Sequence, residues 1–312
     1  MPADGEPDRL VLGPFHPETL GLAYRELTIA FRSAGLDTPG LDARRLIAVA
    51  CDVPDHAALS MPERRLATGD AQRLEGFMQR RLTREPVSRI VGRRSFHGLD
   101  LDITPATLDP RPETETLVDG VLNLIACGEV PGGAAPRILD LGTGSGAILL
   151  ALLRAVPNAV GLGVDISPAA LEVANRNAAR LGLGARATFQ RSHWLSEIDG
   201  PFDVIVANPP YIPTRLLEHL EADVARYDPA AALDGGTDGL NAYRCLIAAA
   251  LDTLVEGGWL ALEVGAGQAG DVAALCRTAA AALSDDDIRV WTDLSGIARC
   301  VVVKWSSRLV GR

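Results

Sequence analysis

The sequence predicts an α/β chain: a seven-stranded, mostly parallel sheet, with a small N-terminal helical bundle and a β-hairpin linker before it. Three observations predict this. From Arg137 onward, short apolar runs alternate with helical patterns, the rhythm of a parallel sheet with crossover helices. The first of those runs, Ile138–Leu141, stops at a glycine-rich turn, Gly142-Thr-Gly-Ser-Gly146. Between Glu18 and Leu82, by contrast, apolar residues recur at three- and four-residue spacing. A length of 312 residues allows one large domain or two smaller ones, each with its own core.

Taken in order, residues 1–17 read as a flexible tail of Pro, Gly and acidic residues. Residues 18–85 read as the helical bundle, a candidate substrate-docking domain. Leu20, Tyr24, Leu27 and Phe31 form one stripe there, and Gly35 stops it. Asp42 to Ala50 and Pro62 to Leu82 repeat the helical pattern, with Pro39, Pro54 and Pro62 as breaks. Residues 86–108 alternate as strands do, most clearly over Ser95–Ile103, and form the hairpin linker. Residues 109–312 make the large α/β domain. It opens on Pro110-Arg-Pro-Glu-Thr-Glu115, whose prolines fix the chain ahead of a helix from Glu113 to Ala126.

Within that domain, Val160–Asp165 is the second strand of the sheet, and Ser167 with Pro168 caps the next helix, which Gly182 ends. Ala187–Gln190, Asp203–Ala207, Trp259–Val264, Ile288–Thr292 and Arg299–Trp305 are the remaining strands, with helices over Leu240–Leu254 and Gln268–Leu283. Only Asp293–Ala298 separates the last two strands. No crossover helix fits there, so they pair antiparallel.

Composition excludes several function classes. Hydrophobic residues at 47% and charged residues at 22% describe an ordinary soluble domain, and no apolar run approaches membrane-spanning length. The N-terminus is unlike a signal peptide, so the chain is expected in the cytoplasm. A net charge of -10 argues against direct nucleic-acid binding. Five scattered cysteines without a C-x-x-C pair, and histidines without ligand spacing, suggest free thiols and no metal. One local exception is the arginine-rich run Arg64–Arg94. It reads slightly better as solvated helix faces than as a docking surface for an acidic or RNA-associated partner.

Two constellations carry chemistry. Asp140-Leu-Gly-Thr-Gly-Ser-Gly146 follows a strand, as a dinucleotide loop does, but its spacing is G-x-G-x-G with an acid inside the motif. A carboxylate there repels a pyrophosphate and suits a cofactor carrying a sulfonium and an amino group. Asp165, ending the second strand, is placed for ribose hydroxyls in either case. Asn208-Pro-Pro-Tyr211 ends the fourth strand, at the edge where open α/β sheets hold ligands. There the Asn208 oxygen and a proline carbonyl can accept the two N–H groups of a planar amide or amidine, with Tyr211 covering its face. Taken alone the tetrapeptide is equally a polar turn. Together the two constellations point to S-adenosylmethionine as cofactor.

With Arg84-Glu-Pro86, Phe96-His-Gly98, the Pro110–Glu115 segment, Trp194 and Asp293-Leu-Ser-Gly296, the chain resembles the class I S-adenosylmethionine-dependent methyltransferases, which have a Rossmann-like sheet. Within them it is similar to the protein-(glutamine-N5) methyltransferases that modify the Gly-Gly-Gln tripeptide of peptide chain release factors, from about residue 20 onward. The resemblance implies that Gly142, Thr143, Gly144, Ser145 and Gly146 hold the methionine end of the cofactor beside Asp140. It implies that Asp165 holds the ribose and that Trp194, otherwise a core indole, packs on the adenine. Asn208 borders both ligands. Asn208 and Pro209 hold the glutamine amide, with Pro210 and Tyr211 completing the substrate site; Asn208, Pro209 and Tyr211 are the catalytic candidates. The partner implied is a release factor, met by a monomer. One departure is His193, where the family commonly has an acid; a neutral imidazole can accept from the adenine amino group, a protonated one cannot.

Alternatives share parts of this pattern. Asn-Pro-Pro-Tyr also occurs in adenine-N6 methyltransferases, a ribosomal-protein glutamine methyltransferase would have the same architecture, and a small-molecule amide is a further acceptor. A silent release-factor or ribosome-binding protein is the non-enzymatic reading.

Overall fold

The structure is a computed structural model that describes residues 15–280 and 283–306, without the side chains of residues 248 and 251. Residues 1–14 of the expected tail, residues 281–282 of the expected last helix and residues 307–312 lie outside the described residues. The chain separates into two compact units, Met1–Val91 and Gly92–Arg312.

The first unit is helical: Leu20–Ser33, Pro39–Ala50, Ala57–Ser60, Thr68–Leu82 and Val87–Val91. Its core joins Leu20, Leu27 and Phe31 to Leu46, Ile47 and Leu74, all at most 1% exposed. Thr19 caps the first helix by accepting from the Leu22 amide at 3.4 Å, and Pro39 opens the second. Two expectations change. Phe15, placed in the tail, is buried in this core. Val87–Val91 reads as strand by its β-branched residues but forms a short helix, whose first N–H donors fall to the Pro86 carbonyl.

Arg73, Arg80, Arg81 and Arg84 of the arginine-rich run make contacts within the helical unit. Arg81, 7% exposed, donates through Nε to the buried Asp42 at 2.9 Å. Arg80 pairs with Glu85 and reaches the Ile90 carbonyl. Arg73 donates to the Ala50 carbonyl at 2.6 Å and Arg84 to that of Gly35 at 3.1 Å. These contacts fasten helices together, while Arg64, Arg65, Arg73, Arg80 and Arg93 stay exposed.

The second unit opens with an antiparallel hairpin, β1 (Arg93–Phe96) and β2 (Leu99–Asp102). Its two turn residues, His97 (φ 46°) and Gly98 (φ 72°), both adopt the left-handed backbone that a tight hairpin requires. Seven strands follow: β3 (Arg137–Leu141), β4 (Val160–Asp165), β5 (Ala187–Arg191), β6 (Phe202–Ala207), β7 (Leu254–Glu263), β8 (Ile288–Thr292) and β9 (Ala298–Lys304). Their order is β5-β4-β3-β6-β7-β9-β8, and only β9 runs antiparallel to its neighbours.

β7 starts five residues before the expected Trp259, its pairing with β6 shifting register before Trp259. Accordingly the preceding helix, Asn241–Ala250, stops short of Leu254. Helices cover both faces. Leu117, Val118, Val121 and Ile148 pack on one, and Tyr243, Leu246, Ile247 and Val272 on the other. Because the chain moves outward from β3 through β4 to β5 and then returns to β6, the carboxyl ends of β3 and β6 form the crevice where the strand order reverses. Among the described residues no helix is long and apolar enough to cross a membrane.

Candidate active site

The glycine loop wraps the carboxyl end of β3. Gly142 (φ 73°) turns the chain so that its amide and that of Thr143 both donate to the Val164 carbonyl, each at 2.9 Å. Gly144 then donates to Asp165 Oδ2 at 3.0 Å. Gly146 (φ 82°) starts the helix Ala147–Ala155, and a Cβ there would meet Leu150 Cδ1 at 3.0 Å and Ala174 Cβ at 3.3 Å. The positive φ and the close packing both demand glycine.

Asp140 lies beneath this loop and is completely buried. It accepts from the Thr143 hydroxyl at 2.7 Å through Oδ2, while Oδ1 has no hydrogen-bond partner. Burial pushes its pKa up to about 7. Gly163 leaves the room for this pair, because a Cβ there would fall 2.8 Å from Thr143 Oγ1 and 2.7 Å from Phe189 Cδ1.

Asp165 is half-buried at the end of β4 and accepts from Gly144 and, at 2.9 Å, from the Ser167 amide. A carboxylate has about four acceptor sites, so two backbone donors leave capacity for a diol. The Trp194 ring lies across the cleft side of Gly142, 3.4 Å from where a Cβ would stand, on a left-handed backbone (φ 55°). His193 is exposed beside it, the ring centres 6.3 Å apart.

On the other side of the crevice, Asn208 follows β6. Its Nδ2 donates to Thr114 Oγ1 at 3.2 Å, which ties the strand end to the Pro-Arg-Pro-Glu-Thr-Glu segment. Pro209 is buried, and Tyr211 is half-buried with its pKa pushed up to about 12, chiefly by burial. The Tyr211 carbonyl accepts from Gln268 Nε2 at 3.0 Å, and this bond holds the turn.

Known proteins similar to this chain follow the same division. Residues 23–92 match the family described as "PrmC N-terminal domain", and residues 134–238 match "Methyltransferase domain". A release factor glutamine methyltransferase of Rhodospirillum rubrum is 46% identical over 97% of this chain and 88% of its own. The chain belongs to the release factor glutamine methyltransferases. One from Bradyrhizobium diazoefficiens is 45% identical over 93% of this chain and 96% of its own. Among solved structures, the hMettl16 catalytic domain in complex with MAT2A 3'UTR hairpin 6 shares 15% identity over 78% of this chain and 84% of that one, with a TM-score of 0.53, a likeness of fold.

In this member of the family the crevice is a cleft of about 460 Å³, within the range of small-molecule sites. It brings together Gly142–Ser145, Asp165, His193, Trp194, Asn208 and Pro210. A second hollow of about 210 Å³ lies beyond it, between Arg111, Tyr211, Val224 and Leu233, and Asn208 borders both. Three of the expected residues line neither: Asp140, Gly146 and Pro209 sit behind the walls. Among the described residues no arginine or lysine lines the first cleft, whose charged wall residue is Asp165. Sequence reasoning missed the wall formed by Ala106, Thr107 and Leu108 with Pro229, Ala231 and Ala232, mostly apolar residues with no motif to mark them. It also missed Glu263, a buried carboxyl ending β7. The visible signal was one acid at the end of the continuous apolar run Trp259–Leu262.

Proposed function

We propose that this chain transfers a methyl group from S-adenosylmethionine to the side-chain amide nitrogen (N5) of the glutamine in the Gly-Gly-Gln motif of peptide chain release factors. The observation that carries the reading is the position of Asn208 between the two hollows, with Nδ2 turned to Thr114 so that Oδ1 is left as an acceptor. Family membership supplies the substrate class. The cytoplasm, where release factors work, is the place of action. Residues 18–85 are the docking domain in this reading.

The first cleft fits S-adenosylmethionine. Among the described residues, the Asp165 carboxylate on the wall and the lack of an arginine or lysine on the lining suit a cation and oppose a pyrophosphate. Gly142–Ser145 would hold its methionine end, Asp165 its ribose, and Trp194 with His193 its adenine. When bound, the cofactor supplies an electrophilic methyl on a positively charged sulfur.

An amide nitrogen is a weak nucleophile because its lone pair is delocalised into the carbonyl. Asn208 Oδ1 and the Pro209 carbonyl accept its two N–H groups, orient the nitrogen and favour the charge that develops on it. Tyr211 covers the plane of the amide. The proton leaves to water after transfer. Some of the arginines that alone favoured a nucleic-acid substrate, Arg73, Arg81 and Arg84, are engaged within the protein, which weakens the adenine-methylation reading. Mass spectrometry of a release factor incubated with the protein and S-adenosylmethionine tests the reading. One methyl on the Gly-Gly-Gln glutamine supports it, and an unmodified glutamine despite bound cofactor refutes it.

A further inference from the structure

Glu263 has no part in the chemistry above, yet it is a charged side chain only 3% exposed directly beneath the site. β6 and β7 pair in parallel with Val206 opposite Ala261 and Ala207 opposite Leu262. One further step brings Asn208 beside Glu263, and neighbours at the same level of a parallel pair point to the same face. Burial raises the Glu263 pKa, and Thr114 and then Asn208 act on its carboxyl in the opposite direction, as hydrogen-bonding groups facing it do. Thr114 itself is 3% exposed and accepts from Asn208 Nδ2.

A hydroxyl that accepts from an N–H has its own proton free to donate onward. The chain of hydrogen bonds from the Asn208 NH2 through Thr114 therefore ends on Glu263. An ionised carboxyl can only accept, so it gives that chain one direction. Without it, the two flips of the Asn208 carboxamide, with oxygen and NH2 exchanged, would both satisfy Thr114. We infer that Glu263, acting with Thr114, is a positioning residue that locks the Asn208 carboxamide with its NH2 inward and its oxygen toward the acceptor amide.

The inference rests on the proposed glutamine reading for its consequence in rate, though not for its geometry. It explains why a carboxyl with one oxygen, Oε2, lacking any partner is kept under the sheet's end, a costly arrangement unless it serves the site. The titratable and charged groups facing it are Arg299, Glu113, Tyr211, Tyr243 and Cys300. Arg299 is itself held by Asp293 at 2.7 Å, which leaves Glu263 to be governed mainly by burial.

The test compares Glu263→Gln, Thr114→Val and Thr114→Ser, with the full-length protein and a release factor. Gln at 263 is isosteric but can donate as well as accept, so it no longer fixes direction. Both Glu263→Gln and Thr114→Val should lower kcat roughly tenfold to hundredfold, the scale of a misplaced positioning group, with cofactor Kd little changed. Thr114→Ser should recover most of what Thr114→Val loses. Wild-type kcat should rise with pH as Glu263 ionises, and the Glu263→Gln profile should be flat in that range. Independently of turnover, the Asn208 side-chain amide signal in NMR should move with that same titration in the wild type and stay still in Glu263→Gln. Wild-type kcat in Glu263→Gln, or equal losses in both Thr114 variants, overturns the inference. If the wild type methylates no glutamine, the proposed function fails, and an Asn208 signal indifferent to the titration is then what refutes the positioning role.

Discussion

Arg111 donates through Nη2 to Asp228 Oδ2 at 2.5 Å, and the other oxygen of Asp228 accepts from the Asp109 amide at 3.3 Å. One buried carboxylate thus ties the long excursion after Tyr211 to the proline-rich segment before Thr114, and the two walls they form border the second hollow. Asp228→Asn should loosen that wall. The expected result is a KM for the release factor raised about tenfold with a smaller loss of cofactor affinity, because Pro229, Ala231 and Ala232 also line the first cleft while the glycine loop is untouched. Steady-state kinetics with varied release factor, alongside calorimetry with the cofactor, checks both halves.

The Arg81–Asp42 pair makes a different prediction. Both side chains are buried within the helical unit, so removing either leaves a charge in the core. Arg81→Ala should cost about 3–5 kcal/mol of stability, the range for breaking a buried pair. Urea denaturation measures it. A loss as small as that of a surface arginine would return the arginine run to the status of a solvated face.

Gly163 should tolerate no side chain. Its Cβ would meet Phe189 and displace Thr143 from Asp140. Gly163→Ala should destabilise the protein by about 1–3 kcal/mol, as overpacking does, and weaken cofactor binding as the loop moves. Thermal shift with and without S-adenosylmethionine reads both, since a ligand selective for the native state raises Tm in proportion to its affinity.

Stability should also fall as pH rises through neutrality. Burial pushes Asp140 and Glu263 each up to about 7, from ordinary values of 3.8 and 4.5. Between those limits the folded chain keeps protons that the unfolded chain has lost. The stabilisation is therefore complete below about pH 4 and disappears as pH passes about 7, amounting to a few kcal/mol for each group at most. Tm measured from about pH 5 to about pH 8 should fall, and Glu263→Gln should flatten the slope.

Much of this was legible beforehand. Most sheet strands contain a short apolar run, and Gly142–Gly146, Asp165 and Asn208–Tyr211 all mark strand ends, so motif and fold announced the same crevice. The misreadings have local causes. Val87–Val91 is too short for periodicity to separate helix from strand. Gly257-Gly258 reads as a loop but continues β7 through an irregular pairing. Asp140 carries the motif, yet which face of β3 it occupies depends on packing against Thr143 and Gly163. Glu263 and Asn208 are joined only by strand register, a property of the folded sheet.

The central claim is that Asn208 holds the acceptor amide and does not hold the cofactor together. The most direct measurement is single-turnover methylation of a release factor by Asn208→Ala, paired with calorimetric titration of S-adenosylmethionine. The account predicts a loss of at least about a hundredfold in the methyl-transfer rate, comparable to removing a hydrogen-bonding group from an oxyanion hole, with cofactor Kd within a few-fold of wild type. A variant that transfers methyl at close to the wild-type rate, or one that fails only because it no longer binds the cofactor, would contradict it.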